Sequence, residues 1–253
     1  RHKHLFLNEL LLSYSSPSYQ PTMFIVSKTV LLLSVCASLG VSATASSSCP
    51  DVRPVEGLNL TEWQRESWYV QQQQLNGYQS EEELFCVVAT YDSSEKLKVP
   101  FFDGTVVAVH NYENKDEVNG PVESTDKNIP KGLCARQPNS TLAAELLVAP
   151  CFLPNVLAGP YWIIAFGTKP TGEYTWGLIS GGSPTVKFDD GCTTKEKGVN
   201  GSGLWIFTRE PVASEETLNE ARAKLKELGY TLQRLKNVAQ KGCSYKGFHL
   251  KSQ

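Results

Sequence analysis

From Ser67 onward the apolar residues come in eight short bursts, each rich in β-branched and aromatic side chains and bounded by Gly, Pro, Asn or Asp. The bursts span 67–75, 84–92, 105–113, 131–138, 142–149, 160–167, 174–180 and 203–210. Runs of this length suit strands and are short for helices. A polar, turn-rich stretch, 114–130, separates the third from the fourth and reads as a long exposed loop. A helical period emerges only after the last burst. Ser214 is placed to cap it, and Glu215 and Glu216 sit where the helix dipole favours anions. Leu218, Ala221, Leu225 and Leu228 recur at intervals of 3, 4 and 3, and Gly229 is a natural stop. This predicts a helix over 215–228. Eight antiparallel strands and one late amphipathic helix point to an all-β fold, a closed up-and-down barrel or calyx with the helix packed outside. A two-sheet sandwich also fits the strand count. Such a barrel has room for one small ligand.

Upstream of the strands the sequence carries an address. Met23 is the only methionine. Lys28 follows it, then an apolar run from Thr29 to Val41, then Ala43-Thr44-Ala45, the small-x-small form of a signal-peptidase site. The run of 13 residues is too short to cross a bilayer core. The expected organisation is therefore an upstream segment foreign to the native protein (1–22), a signal peptide (23–45) and one secreted domain (46–253). Within that domain the barrel would span about 67–210, and 229–253 would form a C-terminal tail. Cleavage after Ala45 removes Arg1, Lys3, Lys28 and Glu9, so Lys+Arg falls from 24 to 21 and Asp+Glu from 26 to 25. Net charge moves from -2 to -4. A mildly acidic chain without a basic cluster argues against nucleic acid as a partner. From the polar ending "SYKGFHLKSQ", no lipid-anchor signal and no integral membrane segment in the mature chain are expected.

Cys36 lies in the signal, leaving six cysteines: Cys49, Cys86, Cys134, Cys151, Cys192 and Cys243. An even number in a secreted chain implies disulfides, and spacing alone leaves their pairing open. None has CxxC spacing, so no metal site is expected. Three sequons, at Asn59, Asn139 and Asn200, could carry N-glycan.

Three stretches resemble the lipocalin family, and within it the apolipoprotein D-like and bacterial groups. "ESWYV" is similar to the family's first-strand motif, with Trp68 as its tryptophan. "FLPNVLAGPYWIIAFG…YTWGLISGG" is similar to the sixth and seventh strands. "GLWIFTREP", followed by the helix, is similar to the eighth strand and its arginine, Arg209. The opening "CPDVRPVEGLNLTEW" adds to the likeness, which runs from about Cys49 to Cys243. There are departures. Glu66 stands where the family has Gly, and Phe166-Gly167-Thr168 with an inserted "KPTG" replaces Thr-Asp-Tyr. The resemblance implies disulfides Cys86–Cys243 and Cys49–Cys192, which leaves Cys134–Cys151. It also implies that Arg209 lies across Trp68 and plugs the barrel's base, a cation–π contact worth roughly 0.5–2 kcal/mol.

Above that plug a ligand pocket is expected. If Glu145 faces solvent, Leu142, Ala144, Leu146 and Val148 turn inward. Trp205 and Phe207 share one face of the eighth burst, and Tyr174, Trp176 and Leu178 one face of the seventh. Val107 and Val109 are candidates from the third. "YWIIAF" is apolar on both faces, so Tyr161 and Trp162 are candidates whose direction period two leaves open. "VQQQQ" puts glutamine on both faces of the first strand, so part of the wall would be polar. A barrel filled by its own side chains is the alternative.

Catalytic patterns are missing. The mature chain has two histidines, His110 and His249, and neither GxSxG, HExxH nor a phosphate-cradling loop. No cofactor is expected. The leading reading is a secreted, non-enzymatic carrier of a small hydrophobic ligand: a lipid, sterol, retinoid or carotenoid. The alternatives are a secreted protein-binding or inhibitory protein acting through loops, and an enzyme of the violaxanthin de-epoxidase kind. The latter family's cysteine-rich segment and Glu-rich tail are not present.

Overall fold

The computed structural model describes residues 48–124, 128–198 and 200–251. The expected upstream segment (1–22) and signal peptide (23–45) lie outside the described residues. In chain order the elements are α1 (Leu60–Trp63), β1 (Trp68–Gln74), β2 (Phe85–Asp92), β3 (Thr105–Asn114), β4 (Val122–Ser124), β5 (Leu133–Gln137), β6 (Glu145–Pro150), β7 (Gly159–Thr168), β8 (Tyr174–Ser180), β9 (Val186–Phe188), β10 (Gly191–Thr193), β11 (Leu204–Thr208), α2 (Glu215–Glu227) and β12 (Leu235–Asn237). Eight of the strands pair antiparallel in the order β1, β2, β3, β5, β6, β7, β8, β11, and β11 pairs back on β1. The sheet is a closed barrel, and the sandwich is excluded. These eight are the eight bursts of the sequence, with ends that differ by up to three residues: β6 starts three later, and β3, β6 and β7 run one residue further.

Stretch 114–130 is more than a loop. Within it β4 pairs with the end of β3, Tyr112 opposite Ser124 and Asn114 opposite Val122, extending the wall at one mouth. The helix α2 lies outside the barrel. Ser214 Oγ accepts from the Thr217 amide at its start, and Leu218, Ala221 and Leu225 are buried against Ile164, Ala165, Trp176, Leu178, Leu204 and Ile206. Burying each leucine contributes about 1.5–3 kcal/mol.

One seam is made differently from the rest. β1 and β2 pair only at Trp68–Ala89 and Tyr69–Val88. Beyond that point the segment after β12 wedges between them. The Val238 amide donates to Gln71 O, the Ala239 amide to Leu84 O and the Cys86 amide to Ala239 O, each at 2.9 Å. Gln240 Nε2 donates to both Val70 O and Val87 O at 2.7 Å, and Tyr245 Oη donates to Gln240 Oε1 at 2.6 Å. Val238 joins the interior core. The expected tail is thus part of the barrel wall. It is pinned by Cys86–Cys243, which spans 157 residues. Cys49–Cys192 spans 143 and Cys134–Cys151 spans 17.

Candidate functional site

The barrel is shut at one end. Trp68 is fully buried, and the Arg209 guanidinium carbon lies 3.5 Å from the centre of its ring. Arg209 Nη2 donates to Glu62 O (2.8 Å) and Trp63 O (3.0 Å), and Nη1 donates to Ser67 O (3.3 Å) and to Glu66 O. Burial, then repulsion from Arg65, pushes its pKa down to about 9, so it stays charged at neutral pH. Trp63, on α1, stacks on Trp68 at 4.4 Å between ring centres, and Trp68 Nε1 donates to Trp63 O at 2.9 Å. Asn59 caps α1 through its side-chain oxygen. Burial opposes ionisation of Glu62, but hydrogen bonds from Arg65 and the Tyr174 amide, with the charges of Arg65 and Arg209, outweigh it and lower its pKa. The plug is therefore α1 latched by Arg209, with the Trp68 indole beneath the guanidinium and Trp63 against that indole.

Above it the walls are apolar and aromatic. Val107, Val109, Leu146, Tyr174, Trp205 and Phe207 point into the interior core, and Val148 and Tyr161 pack against it partly exposed. Tyr91 and Tyr161 share a hydroxyl–hydroxyl bond. Burial raises the pKa of both, so both stay protonated, and a pair sharing one bond has a second phenolic hydrogen left to offer. Near the other end Tyr78 is 59 % exposed, yet burial and the charge of Glu113 push its phenol well up.

Four expected pocket residues lie elsewhere. Leu142 is 39 % exposed, because the chain turns from Asn139 to Glu145 before β6 begins. Trp162 and Trp176 point outward and pack beneath α2, as does Leu178. Trp162 points outward by plain alternation between Tyr161 and Ile163, whereas Trp176 and Leu178 are turned by a bulge. β7 and β8 break register between Ile163 and Ala165 and between Gly167 and Thr168. The second break advances β8 by one residue after Tyr174, so Tyr174, Gly177 and Ile179 face inward while Trp176 and Leu178 face α2. Trp176 Nε1 donates to Glu220 Oε2 at 3.2 Å.

Other residues of the site went unread in the sequence. Trp63 sits in a four-residue helix too short to carry a period. Glu113 shares the parity of Val107 and Val109 on β3, which was the available signal. Gln73 is the one glutamine of "VQQQQ" that faces inward, because β1 breaks register between Val70 and Gln72. Gln71, Gln72 and Gln74 bond to Pro211, Asn237 and Thr194 outside the barrel. Gln73 Nε2 donates to Gln79 Oε1, and Gln79 Nε2 donates to Glu113 Oε2, each at 2.6 Å. Burial, then the charges of Glu83 and Glu123, pushes the Glu113 carboxyl up to about 8. The sequon residues Asn59, Asn139 and Asn200 are exposed. His110 Nε2 lies 2.8 Å from Glu95 Oε1 on the outer surface. Among the described residues no group of three metal-binding side chains converges.

No family model matches the chain, and no curated protein does. Solved structures of similar shape include the major allergen Per a 4 from cockroaches (16 % identity, TM-score 0.46, covering 78 % of this chain and 96 % of that one). Another is insecticyanin from the tobacco hornworm Manduca sexta (15 %, TM-score 0.46, 78 % and 90 %). A third is lobster apocrustacyanin A1 (15 %, TM-score 0.43, 76 % and 92 %). At that similarity the likeness adds nothing to the strand pairing, on which the fold rests.

Proposed function

We propose that the protein is a secreted, lipocalin-type carrier of the apolipoprotein D-like kind, which holds one small, largely apolar molecule inside the barrel. The observation that carries this reading is the asymmetry of the barrel. One end is sealed by Arg209 over Trp68, whereas beyond it Val109, Val148, Tyr161, Trp205 and Phe207 make the interior apolar and aromatic, and no second charged plug of this kind closes the other end among the described residues. An apolar pocket with a few convergent polar groups suits a hydrophobic ligand. Burying about 400 Å² of it yields roughly 10 kcal/mol gross. Association costs consume several of these, leaving micromolar or tighter binding.

Three disulfides and three exposed sequons support export, with glycan on Asn59, Asn139 or Asn200. Mass spectrometry of the secreted protein before and after enzymatic deglycosylation checks both, and a mature N-terminus well before Thr44 contradicts the signal peptide. The central test is tryptophan quenching by a fatty acid, a sterol, retinol and a xanthophyll. Saturable one-to-one quenching is expected, much reduced in Trp205→Phe because Trp205 lines the pocket. No quenching by any of the four would sink the carrier reading. It would turn attention to protein partners, for which the exposed Val156 and Leu157 between β6 and β7 are the natural contact.

A further inference from the structure

We propose that Gln73 anchors the hydroxyl end of an otherwise apolar ligand within the barrel. The inference rests on the carrier reading and adds to it a ligand class. Gln73 is fully buried and stands opposite Trp205, whose side chain is part of the interior core. The direction of its amide is settled by its neighbours. The Gln79 Nε2 group faces two acceptors, Glu113 Oε2 at 2.6 Å and Glu83 O at 3.5 Å, so that end must be the donor. Gln79 Oε1 then accepts from Gln73 Nε2 at 2.6 Å. Gln73 Oε1 is left over, and among the described residues it has no hydrogen-bond partner. Protonating Glu113 leaves this arrangement intact, because a protonated carboxyl keeps an accepting oxygen and the Glu83 carbonyl does not titrate.

A buried acceptor cut off from water is costly to leave unmet. The group that would meet it must be a donor carried on an apolar body, since Gln73 stands opposite Trp205, whose ring lies 6.1 Å from that of Tyr161 in the interior core. A primary alcohol fits. An ether or aldehyde brings no hydrogen. A carboxylate brings none either, and adds a negative charge where burial, then the charges of Glu83 and Glu123, already hold the Glu113 carboxyl protonated. The walls of an apolar pocket cannot discriminate such analogues, but a site with an unpaired acceptor can.

The test compares retinol with retinyl methyl ether, which share one apolar body and differ in the donated hydrogen. Fluorescence titration of the wild-type protein should give retinol about tenfold tighter binding. Gln73→Met, close in shape and without the acceptor, should bring the two to parity. Gln79→Met gives a second readout: it frees the Gln73 amide to turn, and should improve ether binding relative to alcohol. Equal affinities in the wild type overturn the anchor and leave the carrier reading standing. Binding of neither compound overturns both. A preference for retinol that persists in a folded Gln73→Met assigns the selectivity to another group and overturns the anchor. If Gln73→Met does not fold, the same persistence in Gln79→Met does so.

Discussion

Arg209 is a charge that the fold has taken out of water, and its compensation is almost entirely backbone. Its donors reach the carbonyls of Glu62, Trp63, Glu66 and Ser67, while Trp68 takes its face. Truncation removes the charge and takes a donor from all four carbonyls; Trp63 O keeps Trp68 Nε1 and Glu62 O keeps the Arg65 amide, and each bond lost costs on the order of 1 kcal/mol. Arg209→Ala should therefore lower unfolding stability by about 2–4 kcal/mol, read from the urea midpoint at unchanged slope. Arg209→Lys should recover less than half of that, because an ammonium is a point charge and cannot fork across four carbonyls. An unchanged midpoint in Arg209→Ala would reduce the plug to a surface charge. Gly177 makes a complementary point. A Cβ there would lie 2.5 Å from Trp63 Cη2 and 2.8 Å from Cζ3, and Trp63 is fully buried. The indole has no flexible end to yield, so Gly177→Ala should cost about 1–3 kcal/mol by overpacking. A wild-type thermal midpoint would show that α1 moves aside freely.

Among the elements, the seam between β1 and β2 is where the barrel depends on its C-terminal segment. Two residue pairs hold the strands directly, and Val238, Ala239 and Gln240 supply the remaining bonds. Gln240 does with one side chain what a strand does with its backbone. Gln240→Leu should leave Val70 O and Val87 O without that donor and lose about 2–3 kcal/mol. Amide exchange should speed up at Val238, Ala239 and Cys86 more than in β7 or β8. Uniform exchange across the barrel would contradict a separable seam. The sequence could not reveal this part, since 229–253 carries neither a strand period nor a helical one. Period two put Trp205 with Phe207 on one face and left its direction open, and in the structure both lie in the interior core, as do Val107 and Val109. It failed at Trp176, because a bulge is set by what packs on each side of the sheet, and α2 needed Trp176 and Leu178 while Trp63 needed the bare face of Gly177. Leu142 failed for a simpler reason: the strand starts three residues later than its apolar run.

For the molecule as a whole, the mouth of the barrel should make stability fall as pH rises. Glu113 is the group responsible. Its carboxyl titrates near 4.5 when unfolded and is pushed up to about 8 in the fold, by burial first and then by Glu83 and Glu123. Below about 4.5 both states hold the proton, and Glu113 neither adds nor subtracts. Between that pH and about 8 the unfolded chain releases the proton and the folded one retains it, so the unfolded state is favoured progressively; above 8 the penalty is constant. Glu113 is partly exposed, and solvent screening reduces the penalty to about 1–3 kcal/mol. Glu113→Gln keeps an acceptor for Gln79 and removes the titration. Urea unfolding of both proteins across this range should show a gap that opens in favour of the variant from pH 4 to pH 8 and then stays level. A gap that does not change with pH would mean that water reaches the Glu113 carboxylate freely, and that the polar rim around Gln73 and Gln79 is open to solvent even without a ligand.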